Sequence, residues 1–108
     1  VNIILDECTP HIVKKRLRHL AIRTVQEMGW AGVKNGALLK KVEPLFDIFI
    51  TTDKNLRYQQ NLSASKLAFI VLPTNQVPVV AKLIPEIESA LATIQAGEFI
   101  EISLPPDA

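Results

Sequence analysis

Only one cysteine, Cys8, occurs in the 108 residues, so no disulfide can close within the chain. A reducing, cytoplasmic setting suits such a chain. Long hydrophobic runs are also missing. The longest purely apolar stretch, Leu67 to Pro73, is far short of the roughly 20 residues that a bilayer-crossing helix needs, so no membrane association is expected. The basic cluster Lys14 to Arg18 has no apolar run behind it, so a secretory leader is not expected. There is no internal repeat, low-complexity tract or linker, and the four glycines stand singly between periodic segments. What remains is a single domain over residues 1–108, 48% hydrophobic, which excludes disorder. A chain of this length buries roughly two-thirds of its unfolded surface and needs no metal to hold a core.

Charge is present in both signs but unevenly. The net value is +1. Residues 1–66 carry eleven of the twelve Lys and Arg against six acids, a net +5; residues 67–108 carry Lys82 against five acids, a net −4. A basic half of this kind can face a polyanion, or can simply be a solvated surface.

Three short apolar runs, Asn2 to Leu5, Asp47 to Thr52 and Leu67 to Leu72, are too short for helices and predict buried strands. Ala21 to Val25 and Phe99 to Leu104 alternate and predict edge strands. Between them, Thr9-Pro10 predicts a helix start, with Thr9 as cap, running to about Arg18. Asn35 predicts the cap of a second helix from Gly36 to about Val42. Thr74 or Asn75 predicts the cap of a long helical region to Ala96, stopped by Gly97 and kinked or split at Pro85. Strands alternating with helices predict an α/β fold: three layers, α/β/α, around a mainly parallel five-stranded sheet. Apolar strands in the centre, alternating ones at the edges and right-handed crossovers predict the order 2-1-3-4-5.

That order brings the end of the first strand, Asp6-Glu7, beside the end of the third, Asp53, at the topological switch point where the strand order reverses. Acids about 4 Å apart repel by about 4 kcal/mol at an effective dielectric of 20. A shared cation relieves this, and Mg²⁺ or Mn²⁺ takes one or two carboxylates while leaving positions for water and phosphate. A metal so held activates water for attack on a phosphodiester. Equally, Asp6 and Asp53 can serve only as caps of the turns that follow. Glu43 and Asp47 belong at the opposite end of the sheet. Lys54, Asn55, Arg57, Tyr58, Gln59, Gln60 and Asn61 follow Asp53 as a dense set of donors, and Lys34 and Asn35 stand at the site end of the second helix. Such donors suit a phosphate backbone. Cys8 is expected to pack, and His11 and His19 show no metal-ligand spacing.

The passage Ile3-Ile4-Leu5-Asp6-Glu7-Cys8-Thr9-Pro10 resembles the opening of a small family of bacterial PIN-like domains. Phe46 to Leu56 resembles its second hallmark, an apolar strand ending in Thr-x-Asp-x-(Asp/Asn)-(Phe/Leu), here Thr51-Thr52-Asp53-Lys54-Asn55-Leu56. Gln26 to Gly36 is similar to one branch of that family. The resemblance implies a Mg²⁺- or Mn²⁺-dependent ribonuclease of toxin–antitoxin type, akin to VapC-like toxins, acting on RNA and paired with a small antitoxin protein. It implies Asp6 and Asp53 as metal ligands, with Glu7 beside them as a third catalytic acid; among the donors around the site, Lys34, Asn35, Lys54, Asn55 and Arg57 are the expected substrate contacts. Many relatives carry an acid near the start of the second helix, where this chain has Lys34-Asn35-Gly36. The edge strands or the last helix are expected to be open to an antitoxin or to a second copy in a homodimer.

Two other readings stand beside this one. A catalytically degenerate PIN-like domain would bind a partner without cleaving RNA. A receiver-like phosphoacceptor domain would also place acids after the first and third strands, but it needs a lysine at the end of the last strand, where this chain has Ser103-Leu104-Pro105.

Overall fold

The computed structural model describes residues 1–56 and 65–105. Five strands form one sheet in which every pairing is parallel: β1 (Asn2–Leu5), β2 (Ala21–Thr24), β3 (Ile48–Thr51), β4 (Ala68–Val71) and β5 (Phe99–Glu101). Their order is β2-β1-β3-β4-β5, as the apolar and alternating patterns require. β3 and β4 are buried along their whole length, whereas β2 alternates exposed and buried as an edge strand does.

Side chains leave the strands alternately to two faces. On one face Ile3, Leu5, Ile48, Ile50 and Ile70 pack against Val13 and Leu17 around α1 (Ile12–Arg16) and against Val80, Leu83, Ile84 and Ile87 of α3 (Val77–Thr93). On the other face Ile4, Phe49 and Phe69 pack against Leu38 and Val42 of α2 (Asn35–Val42), with Val25 and Leu56. The register sets Phe49, Phe69 and Phe99 side by side, with ring centroids 5.9 and 5.8 Å apart. Trp30 stands edge-on to Phe46 and closes this layer.

Several element ends differ from expectation. α1 starts at Ile12 with no side-chain cap, because the Thr9 hydroxyl is buried and donates to the Ile50 carbonyl instead. α2 begins at Asn35 rather than after it, with Lys34 in the capping position. α3 starts after Gln76 without a side-chain cap and ends at Thr93, not Ala96. Gly97, at φ +80°, instead turns the chain into β5, its N–H donating to the Lys66 carbonyl. Pro85 does not split α3. It lies on the exposed side of the helix, away from the buried Val80, Leu83 and Ile87. β2, β3, β4 and β5 are each one to three residues shorter than their apolar runs. Among the described residues, no helix is long and apolar enough to cross a membrane.

Candidate functional site at the carboxyl ends of strands 1 and 3

The chain leaves β1 toward β2 on one side and β3 toward β4 on the other, so the crevice between β1 and β3 is the switch point of the sheet. Asp6 follows β1 and Asp53 lies two residues past Thr51, the last residue of β3. The Asp6 N–H donates to the Ile50 carbonyl at 2.8 Å, extending the ladder by one step and fixing Asp6 at the strand end.

Thr51 joins the two acids. It is fully buried, and its hydroxyl donates to Asp6 Oδ2 at 2.7 Å while accepting from the Asp53 N–H at 3.0 Å. Asp6 is itself 8% exposed, and its Oδ1 accepts from the Glu7 N–H at 2.8 Å. Asp53 Oδ1 accepts from the Asn55 N–H at 3.0 Å, and Oδ2 accepts from Asn35 Nδ2 at 3.1 Å. A polar side chain sealed at the end of an apolar strand has to find a partner. That requirement was the sequence signal for Thr51, which composition and spacing alone left unassigned.

Glu7 does not join the pair. Its Oε1 accepts from the Gly32 N–H at 2.8 Å, and its carbonyl accepts from Gln26 Nε2 at 3.2 Å. Gly32 can turn its N–H that way because it holds φ +81°, a conformation glycine tolerates. Among the described residues, no group of three or more His, Cys, Asp or Glu is placed to hold a metal ion. Cys8, expected to pack, is exposed. Its sulfur accepts from the Thr52 hydroxyl at 3.0 Å and lies 3.6 Å from Asp6 Oδ2.

The structure brings Asn35 against Asp53 and sets Lys34 and Lys54, both exposed, on the loops that flank it. Asn55 uses its backbone N–H to hold Asp53. Arg57, with Tyr58, Gln59, Gln60 and Asn61, lies outside the described residues. Asp47 accepts from the Asn2 N–H at the start of β1, and Glu43 accepts from Ser65 Oγ beyond the end of α2. Both are therefore at the far end of the sheet from the acid pair.

Two carboxylates at neighbouring strand ends are the smallest set that suits Mg²⁺, which keeps several waters. Each carboxylate oxygen has two lone pairs; Asp6 Oδ2 accepts from both the Thr51 hydroxyl and Cys8 Sγ, while Asp6 Oδ1 and the two Asp53 oxygens each accept one bond. The Asp6 and Asp53 carboxylates are oxygen donors of the kind a hydrated divalent ion takes, and among the described residues no third carboxylate joins them. Compared with protein-family models, curated proteins and solved structures, the chain finds no match in any of the three. Fold and site together define a small, all-parallel α/β domain with an acid pair at its switch point.

Proposed function

We propose that this chain is a PIN-like ribonuclease domain that uses Mg²⁺ or Mn²⁺ and serves as the toxin partner of a small antitoxin protein. The observation that supports this reading best is the placement of Asp6 and Asp53 at adjacent carboxyl ends of strands, joined through the Thr51 hydroxyl. Asp6 and Asp53 would hold the ion, and a bound ion supplies charge neutralisation and an acidified water for phosphodiester hydrolysis. Thr51 orients Asp6, and the Asn35 amide and Asn55 N–H orient Asp53. Lys34 and Lys54 bring positive charge to the phosphates on either side.

A second reading, a catalytically degenerate domain that binds a partner, has its own support. Asn35 offers Asp53 a neutral donor where many relatives of the resembled family carry an acid, and Glu7 is occupied by Gly32. Incubating the purified chain with mixed RNAs, with Mg²⁺, with Mn²⁺ and with chelator, separates the two. The nuclease reading expects cleavage that needs the ion and disappears in Asp53→Asn. Equal cleavage by Asp53→Asn would overturn it, and no cleavage by the wild type with either ion would leave the partner-binding reading.

A further inference from the structure

Glu7 is exposed, yet its N–H, its carbonyl and its carboxylate each hold a different group. The N–H donates to Asp6 Oδ1 at 2.8 Å. The carbonyl accepts from Gln26 Nε2 at 3.2 Å, soon after β2, and Oε1 accepts from the Gly32 N–H at 2.8 Å, shortly before α2. Between these two anchors the chain folds back on itself. The Gly29 N–H donates to the Gln26 carbonyl, the Trp30 N–H to the Val25 carbonyl and the Val33 N–H to the Trp30 carbonyl. Trp30 seats the middle of this loop against Phe46. The last link is the Asn35 amide, which donates to Asp53 Oδ2 at 3.1 Å. Bonds therefore close a ring around the crevice. Thr51 joins Asp6 to Asp53 on the sheet side, and Glu7, Gly32 and Asn35 join them on the loop side.

Resting on the ribonuclease reading, we propose that Glu7 is a positioning residue: its carboxylate holds the Gly32 N–H, and through the next residues (Val33 and Lys34) sets the Asn35 amide on Asp53, instead of ligating the ion. The start of α2 needs such an anchor. The helix has no side-chain cap, and its buried residues, Leu38 and Val42, begin only a turn further on. Gly32 points the same way. It holds φ +81°, but a Cβ placed there meets no atom within 4 Å. Packing therefore does not require a glycine at this position; the backbone angle that aims its N–H at Glu7 does. The role asks for an acceptor oxygen at this side-chain length, not for a negative charge. Glutamine has both the length and the oxygen, whereas a metal ligand or a base has to be a carboxylate. Groups that orient a ligand from behind alter metal affinity about 10–100-fold when removed.

The test compares Glu7→Gln, Glu7→Ala and Gly32→Ala. Glu7 is exposed and Gly32 has open space beside it, so all three changes leave the core untouched. Mn²⁺ affinity is read from water-proton relaxation. Independently, NMR in EDTA follows the exchange rate of the Gly32 N–H and the position of the Asn35 side-chain amide signal. Glu7→Gln should stay close to wild type in every readout. Glu7→Ala and Gly32→Ala should each shift the Asn35 signal toward that of a free amide and lower Mn²⁺ affinity about tenfold, and Glu7→Ala should also speed Gly32 exchange. The double variant should lose no more than either alone, because both changes break one bond. Equal losses in Glu7→Gln and Glu7→Ala would make the charge the contribution of Glu7 and overturn the proposal. An unshifted Asn35 signal in Glu7→Ala would overturn it as well. If the wild type bound no Mn²⁺, the metal-dependent reading would fall, while the Gly32 and Asn35 signals would still decide whether Glu7 holds the loop.

Discussion

Replacing Thr51 by valine keeps its shape and removes its hydroxyl. Asp6 Oδ2 then loses its donor and the Asp53 N–H its acceptor. Leaving buried polar groups unpaired costs about 1–3 kcal/mol, so Thr51→Val should lower the urea midpoint accordingly and loosen the acid pair. Asn35→Asp tests the site differently. It sets a carboxylate where an amide now donates to Asp53, and the repulsion should destabilise the metal-free protein by about 1–4 kcal/mol. Adding Mg²⁺ should restore the lost melting temperature in Asn35→Asp more than it raises that of the wild type. A variant indifferent to Mg²⁺ would place the ion elsewhere. At the carboxyl end of β2, where Thr24 is in register with Leu5, Thr24 and Glu27 form a reciprocal pair: the Thr24 N–H donates to Glu27 Oε1 and the Glu27 N–H donates to Thr24 Oγ1. The Lys14 ammonium hydrogen-bonded to Glu27 holds its carboxyl below the ordinary glutamate value; the Thr24 N–H and hydroxyl add to this and burial opposes it. A carboxyl lowered in the folded state stabilises the fold above its unfolded value and loses that contribution as pH falls through its folded one. Urea midpoints of the wild type should therefore drop more steeply on acidification from neutral pH than those of Glu27→Gln. Parallel pH profiles would argue that the contact is not held in solution.

At the scale of elements, the aromatic row and the long helix make opposite predictions. Phe69 is 2% exposed and touches both Phe49 and Phe99, so it ties three strands together on the α2 face. Phe69→Ala should cost about 3–5 kcal/mol in denaturant unfolding. Pro85 is exposed within α3, and a helix-interior proline is about 3 kcal/mol less favourable than alanine. Pro85→Ala restores one backbone hydrogen bond at a surface position and should raise stability, by somewhat less than that full amount because the unfolded chain also gains freedom. The helix survives Pro85 because its other side buries Val80, Leu83, Ile84 and Ile87 against the sheet. Packing, not local preference, decides the length of such a helix.

Across the whole molecule the basic and acidic halves separate only in part, since Glu88 of the long helix lies 2.9 Å from His19 beside α1. Lys14, Lys15, Arg16, Arg18 and Arg23 lie on α1 and β2 or between them, at one edge, while Glu98 and Glu101 lie at the start and end of β5, at the other. If RNA lies across the carboxyl ends, its affinity should fall as salt rises, with a log–log slope near −0.7 for each phosphate neutralised on a single strand. Lys54→Ala should make that slope shallower by about one such step. Anisotropy titrations at several salt concentrations measure it directly. A slope unchanged by Lys54→Ala would mean that the phosphates run elsewhere.

The strand order was legible in the sequence because a strand buried on both faces must be continuously apolar and an edge strand need not be. Ile3-Ile4-Leu5 and Ile48-Phe49-Ile50 could only be central, and once they were neighbours Asp6 and Asp53 had to end side by side. Helix starts were less legible. Thr9 and Asn35 have capping chemistry, but each found a better partner across the fold, Thr9 in the Ile50 carbonyl and Asn35 in Asp53. A capping bond is local and weak, and a buried polar group takes whichever partner packing brings within reach. The same reason separates Glu7 from the acid pair. Sequence adjacency to Asp6 says nothing about direction, and only the tertiary structure brought the Gly32 N–H within 2.8 Å of its carboxylate.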